Sequence, residues 1–167
     1  RWVPPTSPSS NQAFIEGSLL QHHAKVAQFI EMKTNDDTAA AGLAQTQAAY
    51  KQIPQPFDVT ILGMGGDGHT ASIFPDCHGI ETALDADSDQ HVCAITAHKS
   101  KVTGDNLERI TLSFAGLLQS KQLVLLITGD EKLDVYRQAV SQTDVNKTPI
   151  SAVLQQTRVP VHVYWAP

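Results

Sequence analysis

Phe57-Asp58-Val59-Thr60-Ile61-Leu62-Gly63-Met64-Gly65-Gly66-Asp67-Gly68-His69-Thr70-Ala71-Ser72 is the stretch on which the reading of this chain turns. Its opening residues, Phe57 to Leu62, are short, β-branched and bounded by Pro56 and Gly63, which predicts a buried strand. That strand runs straight into four glycines within six residues. Glycine-rich backbone lets successive N–H groups converge into an anion-binding concavity. Asp67 stands two residues from His69, close enough to hold an imidazole by one ring nitrogen while the other works. A tight turn carrying a surface histidine is the competing reading, and the density of glycines favours the cradle.

Outward from this stretch, helical and extended patterns alternate. Ser9-Ser10-Asn11-Gln12 places a hydroxyl three residues ahead of an amide, a capping pattern, and a helix follows to about His23, with an apolar stripe of Phe14, Ile15, Leu19 and Leu20. Thr34 to Asp37 supply turn and cap chemistry, and Ala40, Leu43, Gln47 and Tyr50 recur at helical spacing in a second helix ending near Pro54. His91 to Ala97 reads as a strand. Arg109 to Phe114 alternates strictly, sending Ile110, Leu112 and Phe114 to one face and Arg109, Thr111 and Ser113 to the other. Leu123 to Ile127 has no alternation, as expected of a strand covered on both faces, and Gly129-Asp130 opens a helix through Leu133, Tyr136 and Val140. Val161 to Trp165 is a last strand. This order predicts a single α/β domain over 1–167, with a mostly parallel sheet, helices on both faces and a Rossmann-like ligand site beyond the carboxyl ends of the strands.

Composition narrows the function classes. The 167 residues carry a net charge of −5, with 17% charged and 41% apolar residues, far from the basic balance of a nucleic-acid binder. The longest apolar run, Leu123 to Ile127, is far below the ~18 residues of a membrane span. The expectation is a cytoplasmic protein with neither nucleic-acid nor membrane partners. Cys77 and Cys93 are too few for a disulfide scaffold and read as reduced. The opening Arg1-Trp2-Val3-Pro4-Pro5 has no initiator Met, which suggests a piece of a longer chain.

Other candidate sites are weaker. Gly63, Gly65 and Gly68 match the spacing of a dinucleotide fingerprint, but Pro75 leaves little room for the phosphate-binding helix. The acidic candidates Asp85, Asp87 and Asp89 also lie in a polar loop rather than at a strand end. Cys77, His78, His91 and Cys93 invite a zinc reading. The adjacent pair Cys77-His78 fits half a tetrahedral site poorly, so a buried Cys93 and an exposed His78 are expected instead. His22-His23 fit interaction with terminal helix carbonyls. Lys132 sits in a helix's first turn, where the macrodipole disfavours a cation unless an anion is near. Arg109 fits either a bidentate phosphate clamp or a solvated strand edge, and its position alone favours the edge.

Phe57 to Pro75 closely resembles the signature of the 6-phosphogluconolactonase family. Arg1-Trp2-Val3 with Ser10-Asn11, Arg109-Ile110-Thr111-Leu112 and Thr128-Gly129-Asp130-Glu131-Lys132 occur in the family's order, so the resemblance spans nearly the whole chain. It implies a fold related to the glucosamine-6-phosphate deaminase and ribose-5-phosphate isomerase group. It also implies a further N-terminal strand–helix segment, absent here, with a second glycine-rich loop, which makes this chain the C-terminal portion of a one-domain enzyme. The implied activity is hydrolysis of 6-phospho-D-glucono-1,5-lactone to 6-phospho-D-gluconate in the pentose phosphate pathway. His69 would be the general base and Asp67 its orienting partner. Backbone N–H groups of Gly65 and Gly66 would stabilise developing negative charge, and Arg109, Lys132 and Arg1 would hold the phosphate. No metal and no organic cofactor is expected, since an ester hydrolyses without electron transfer or a Lewis acid. Two alternatives stay open: a glucosamine-6-phosphate deaminase or sugar-phosphate isomerase, and a non-catalytic phosphosugar-binding protein. Thr70-Ala71-Ser72-Ile73 favours the lactonase over the deaminase, whose motif continues differently.

Overall fold

A computed structural model describes residues 1–141 and 144–167. Strands β1 (Thr60–Gly63), β4 (Leu123–Thr128) and β5 (Val161–Ala166) form a parallel sheet in the order β1-β4-β5. Strands β2 (Val92–Thr96) and β3 (Glu108–Leu112) form a separate antiparallel pair. Helices α1 (Asn11–Ser18), α2 (Ala39–Lys51), α3 (Ile80–Leu84), α4 (Phe114–Leu117), α5 (Asp130–Ser141) and α6 (Ile150–Gln155) flank them, and the fold is the expected α/β class. Among the described residues no helix is long and apolar enough to cross a membrane.

The main core lies on one side of the parallel sheet. Leu62, Leu123, Leu125 and Ile127 pack there against Phe114, Leu117, Ala139, Ile150 and Val153, carried by α4, α5 and α6. Register puts Ile61 beside Val124 and His162, and Gly63 beside Leu126 and Tyr164. On that side Ile61 is 66% exposed, and Leu126 and Tyr164 are exposed too. Burial of β4 therefore alternates, where the unbroken apolar run predicts uniform cover, and β1 buries only Leu62 of its four residues. An apolar run records what a strand tolerates on each face, not what lies over it.

The antiparallel pair is covered on both sides, which corrects the reading of Arg109 to Phe114. Arg109 sits opposite Ile95 and Thr111 opposite Cys93, and this side joins the cluster of Ile73, Phe74, Cys77, Ile80 and Ala83. Ile110 and Val92 face Trp2 and Ala39 on the other side. Phe114 leaves the strand altogether. Ser113 caps α4, accepting the Gly116 N–H at 3.0 Å and donating to Gln90 O at 2.6 Å.

Two helices also differ from their patterns. Ser10, rather than the Ser9 that stands three residues ahead of Gln12, caps α1 by accepting the Ala13 N–H at 3.2 Å, and α1 stops at Ser18 and buries no residue, leaving Phe14 73% exposed. Gly17 and Ser18 are weak helix formers, and a short 3-10 turn, His22–Val26, follows. Helix α2 starts from Thr38, whose hydroxyl accepts the Ala41 N–H at 3.2 Å, and buries Ala39, Gly42 and Thr46 rather than the larger residues of the predicted stripe. These small side chains let its backbone approach Trp2. A Cβ on Gly42 would stand 2.4 Å from Trp2 Cη2. Gly42→Val therefore overpacks this contact and lowers stability by about 1–3 kcal/mol, read as a lower urea midpoint at unchanged slope.

Candidate active site

The parallel pairing of β1 with β4 brings two loops to one edge of the sheet. β1 ends at Gly63 and β4 at Thr128, so the glycine stretch after the first and the start of α5 after the second both leave from the carboxyl end. A Cβ built on Gly66 would lie 3.1 Å from Glu131 Oε1, which shows how closely the beginning of α5 lies against the cradle. Lys132 is the next residue. It is half-buried and makes no hydrogen bond or ion pair with any described residue. Its position in the first turn of α5 is as expected.

The glycine loop is tightly self-bonded. Gly65 N–H donates to His69 O at 3.0 Å and Gly68 N–H to Gly65 O at 3.0 Å, with Gly68 at φ +78°, a left-handed conformation that favours glycine. The Thr70 hydroxyl donates to Gly63 O at 2.9 Å. Asp67 Oδ1 accepts both the backbone N–H of His69 at 3.1 Å and its ring Nδ1 at 2.5 Å. Burial alone would raise the Asp67 carboxyl, but the hydrogen bond and charge of His69 outweigh it and hold the group below the ordinary value of 3.8. An ionised carboxylate has no proton to give, so Nδ1 carries the proton, and Nε2 is the nitrogen left bare in the neutral tautomer. No described residue bonds Nε2.

Phe74 links this pair to the buried cation. The His69 ring stacks on Phe74 with centroids 4.3 Å apart, and Arg109 Cζ lies 5.5 Å from the same ring. Arg109 is 2% exposed, so the solvated-edge reading is overturned: the segment from Ile73 to Ala83 covers its side of β3. Its guanidinium donates to the carbonyls of Asn106, of Glu108 at 3.1 Å and of Thr103 at 3.3 Å, with no carboxylate among its described partners. Burial, with the charge of Arg1 added, pushes its pKa down to about 10, which leaves it cationic at neutral pH. Trp2 N–H bonds Glu108 O at 2.9 Å and so places Arg1 at the start of β3, where its guanidinium donates to Ser9 O at 3.1 Å. Two cations side by side, one buried without a carboxylate, call for an anion. A cavity of about 490 Å³ is lined by Arg1, Lys33, Ala71, Ser72 and Thr111 among others; His69, Arg109 and Lys132 are not on its wall.

Elsewhere the site stays simple. Cys77 and Cys93 are buried, and burial followed by the neighbouring Cys77 pushes the Cys93 thiol up to about 12. His78 is exposed, and the described residues contain no group of three or more side chains able to hold a metal ion. Sequence reading missed Glu131 as a neighbour of the cradle. Its only signal was a place beside Lys132 at a helix start, and the contact depends on the β1–β4 pairing.

The result is a strand-end site on a parallel α/β sheet, with an Asp–His pair at a glycine cradle and uncompensated cations alongside. A sequence profile described as glucosamine-6-phosphate isomerases/6-phosphogluconolactonase matches residues 1–165, and the chain belongs to this family. It is 36% identical over 167 residues to the 6-phosphogluconolactonase of Mesorhizobium japonicum, covering 100% of this chain and 67% of that protein. The Rhizobium meliloti 6-phosphogluconolactonase is also 36% identical, with 100% and 70% covered. The crystal structure of a 6-phosphogluconolactonase from Shewanella baltica superposes with a TM-score of 0.91 at 39% identity, over 100% of this chain and 69% of the other. This chain thus spans about two thirds of the length of these relatives.

A Cβ on Gly65 would lie 2.1 Å from His69 Nδ1 and 2.5 Å from Asp67 Oδ1. Gly65→Ala therefore forces the Asp67–His69 pair apart. The expected result is a fall in kcat of about 10²-fold in a lactone hydrolysis assay, with a far-UV spectrum like that of the unaltered protein.

Proposed function

We propose that this protein hydrolyses 6-phospho-D-glucono-1,5-lactone to 6-phospho-D-gluconate, with His69 as general base. The observation that carries the reading is the His69 ring held through Nδ1 by ionised Asp67, leaving Nε2 as the acceptor. Nε2 takes a proton from water while the water oxygen bonds to C1 of the lactone. The carbonyl π pair moves onto oxygen, where the Gly66 N–H faces the developing charge; the Gly65 N–H, expected to share this role, is engaged by His69 O instead. Collapse of the tetrahedral intermediate breaks the bond from C1 to the ring oxygen, and Nε2–H returns its proton to that leaving oxygen. No net proton, electron or co-reactant is required before the product acid ionises. Imidazole, with an ordinary pKa of ~6.5, suits both transfers near neutral pH.

The phosphate falls to Arg109, Arg1 and Lys132. A buried guanidinium and a lysine, the first without a carboxylate and the second without a partner among the described residues, are charges left open for a dianion. The protein's net −5 makes such local cations necessary, because its overall field repels the substrate. The reading needs neither nucleic acid nor membrane, and puts the protein in the cytoplasm with other enzymes of sugar phosphates.

His69→Ala should lower kcat for the lactone by about 10²–10⁴-fold, measured by base titration of the acid released. Wild-type rates in that variant would refute the assignment of the base, and ammonia released from glucosamine 6-phosphate would favour a deaminase. Lys132→Met should raise KM with little change in kcat, if its contact is equal in the ground and transition states. Initial rates across substrate concentration decide this, and a fall in kcat at constant KM would move Lys132 into the chemistry.

A further inference from the structure

The loop that carries His69 is fastened at both ends by one distant segment, residues 144–150, which leads into the first residue of α6. At the near end, Gly68 O accepts the Ile150 N–H at 3.0 Å. Gly68 is buried, and a Cβ placed on it would stand 2.7 Å from Thr148 Cγ2 and 3.5 Å from Thr148 Cα. At the far end, Asp76 N–H donates to Asn146 O at 2.9 Å, and Lys147 Nζ pairs with Asp76 Oδ2 at 2.6 Å. Asp76 O also takes a hydrogen bond from His98 Nε2 at 2.9 Å.

The strap is itself well anchored. Pro149 and Ile150 are fully buried, with Ile150 in the main core. Asp144 O accepts the N–H groups of both Lys147 and Thr148 at 3.2 Å, so the turn before them is set by its own backbone. Thr148 is therefore presented to Gly68 from a rigid base. Gly68 matters because it lies between Asp67 and His69. Its left-handed backbone fixes the angle at which the carboxylate and the imidazole meet, and glycine by itself is free to leave that conformation.

We infer that Thr148 is a positioning residue for His69: its methyl group, with the Ile150 N–H, locks Gly68 in the conformation that holds the Asp67–His69 pair together. The inference rests on His69 being the base, and it assigns a role to a side chain with no hydrogen bond to the pair. The strap acts from behind the loop, by steric contact at one glycine.

The test uses the full-length natural protein. Thr148→Ser removes the methyl and keeps the hydroxyl; Thr148→Val keeps a methyl at the same place and removes the hydroxyl. Thr148→Ser should lower kcat by about tenfold at unchanged KM, and shift the His69 ring-proton titration followed by NMR. The charged groups placed around the loop, namely Asp67, Glu131 across Gly66 and Arg109 beyond Phe74, stay the same in both variants. Thr148→Val should restore both kcat and the titration. Wild-type kcat with an unshifted titration in Thr148→Ser would overturn the inference, as would a change in KM alone or a Val variant as impaired as the Ser one. His69→Ala measured alongside separates the two claims: if it retains activity the base assignment falls, and the NMR titration still judges Thr148.

Discussion

Parallel pairing of β1 with β4 is the constraint from which the site follows. Backbone bonds between Thr60–Gly63 and Leu123–Leu126 make both strands end at the same edge, so a glycine turn and a helix start emerge side by side. Neither loop would make a site alone. The first supplies an imidazole, a carboxylate and the Gly66 N–H; the second supplies Glu131 and Lys132, which pairs with no described residue. β3 brings the buried cation from a different sheet, and Phe74 closes the gap by touching both His69 and Arg109.

What could be read from the sequence was what is local in the chain. The Asp67–His69 pair spans two residues and the cradle six, so spacing alone indicated the geometry now seen at 2.5 Å. The starts of α1 and α5 are likewise written in neighbouring residues. The surroundings of Arg109 were not legible, because strict alternation says which side chains share a face and nothing about what packs on it. The stripe on α2 was legible only in part: Leu43 and Tyr50 do pack against the core, while close approach to Trp2 gave the fully buried positions to Ala39, Gly42 and Thr46, which a search for large apolar residues passes over. Glu131 and Thr148 reach the glycine loop from more than sixty residues away, through contacts that exist only once the sheet has formed.

Electrostatics here is an arrangement of exceptions. Five of the six ion pairs among the described residues are exposed and contribute little. The sixth, half-buried, fixes a tautomer. Arg109 meanwhile spends its donors on the carbonyls of Thr103, Asn106 and Glu108, which folds that loop over it but leaves its charge uncancelled. A guanidinium bound only to carbonyls is held in place without being neutralised, which is what an anion site needs before its anion arrives.

The two cysteines give the molecule an internal reporter. Both thiols are enclosed in the cluster that covers Arg109, and Cys93 is held far from ionisation. Buried thiols of this kind are inert toward electrophiles. Alkylation of the native chain must therefore wait for the segment from Ile73 to Ala83 to lift from β2 and β3, and its rate measures how often that lid of packed side chains opens.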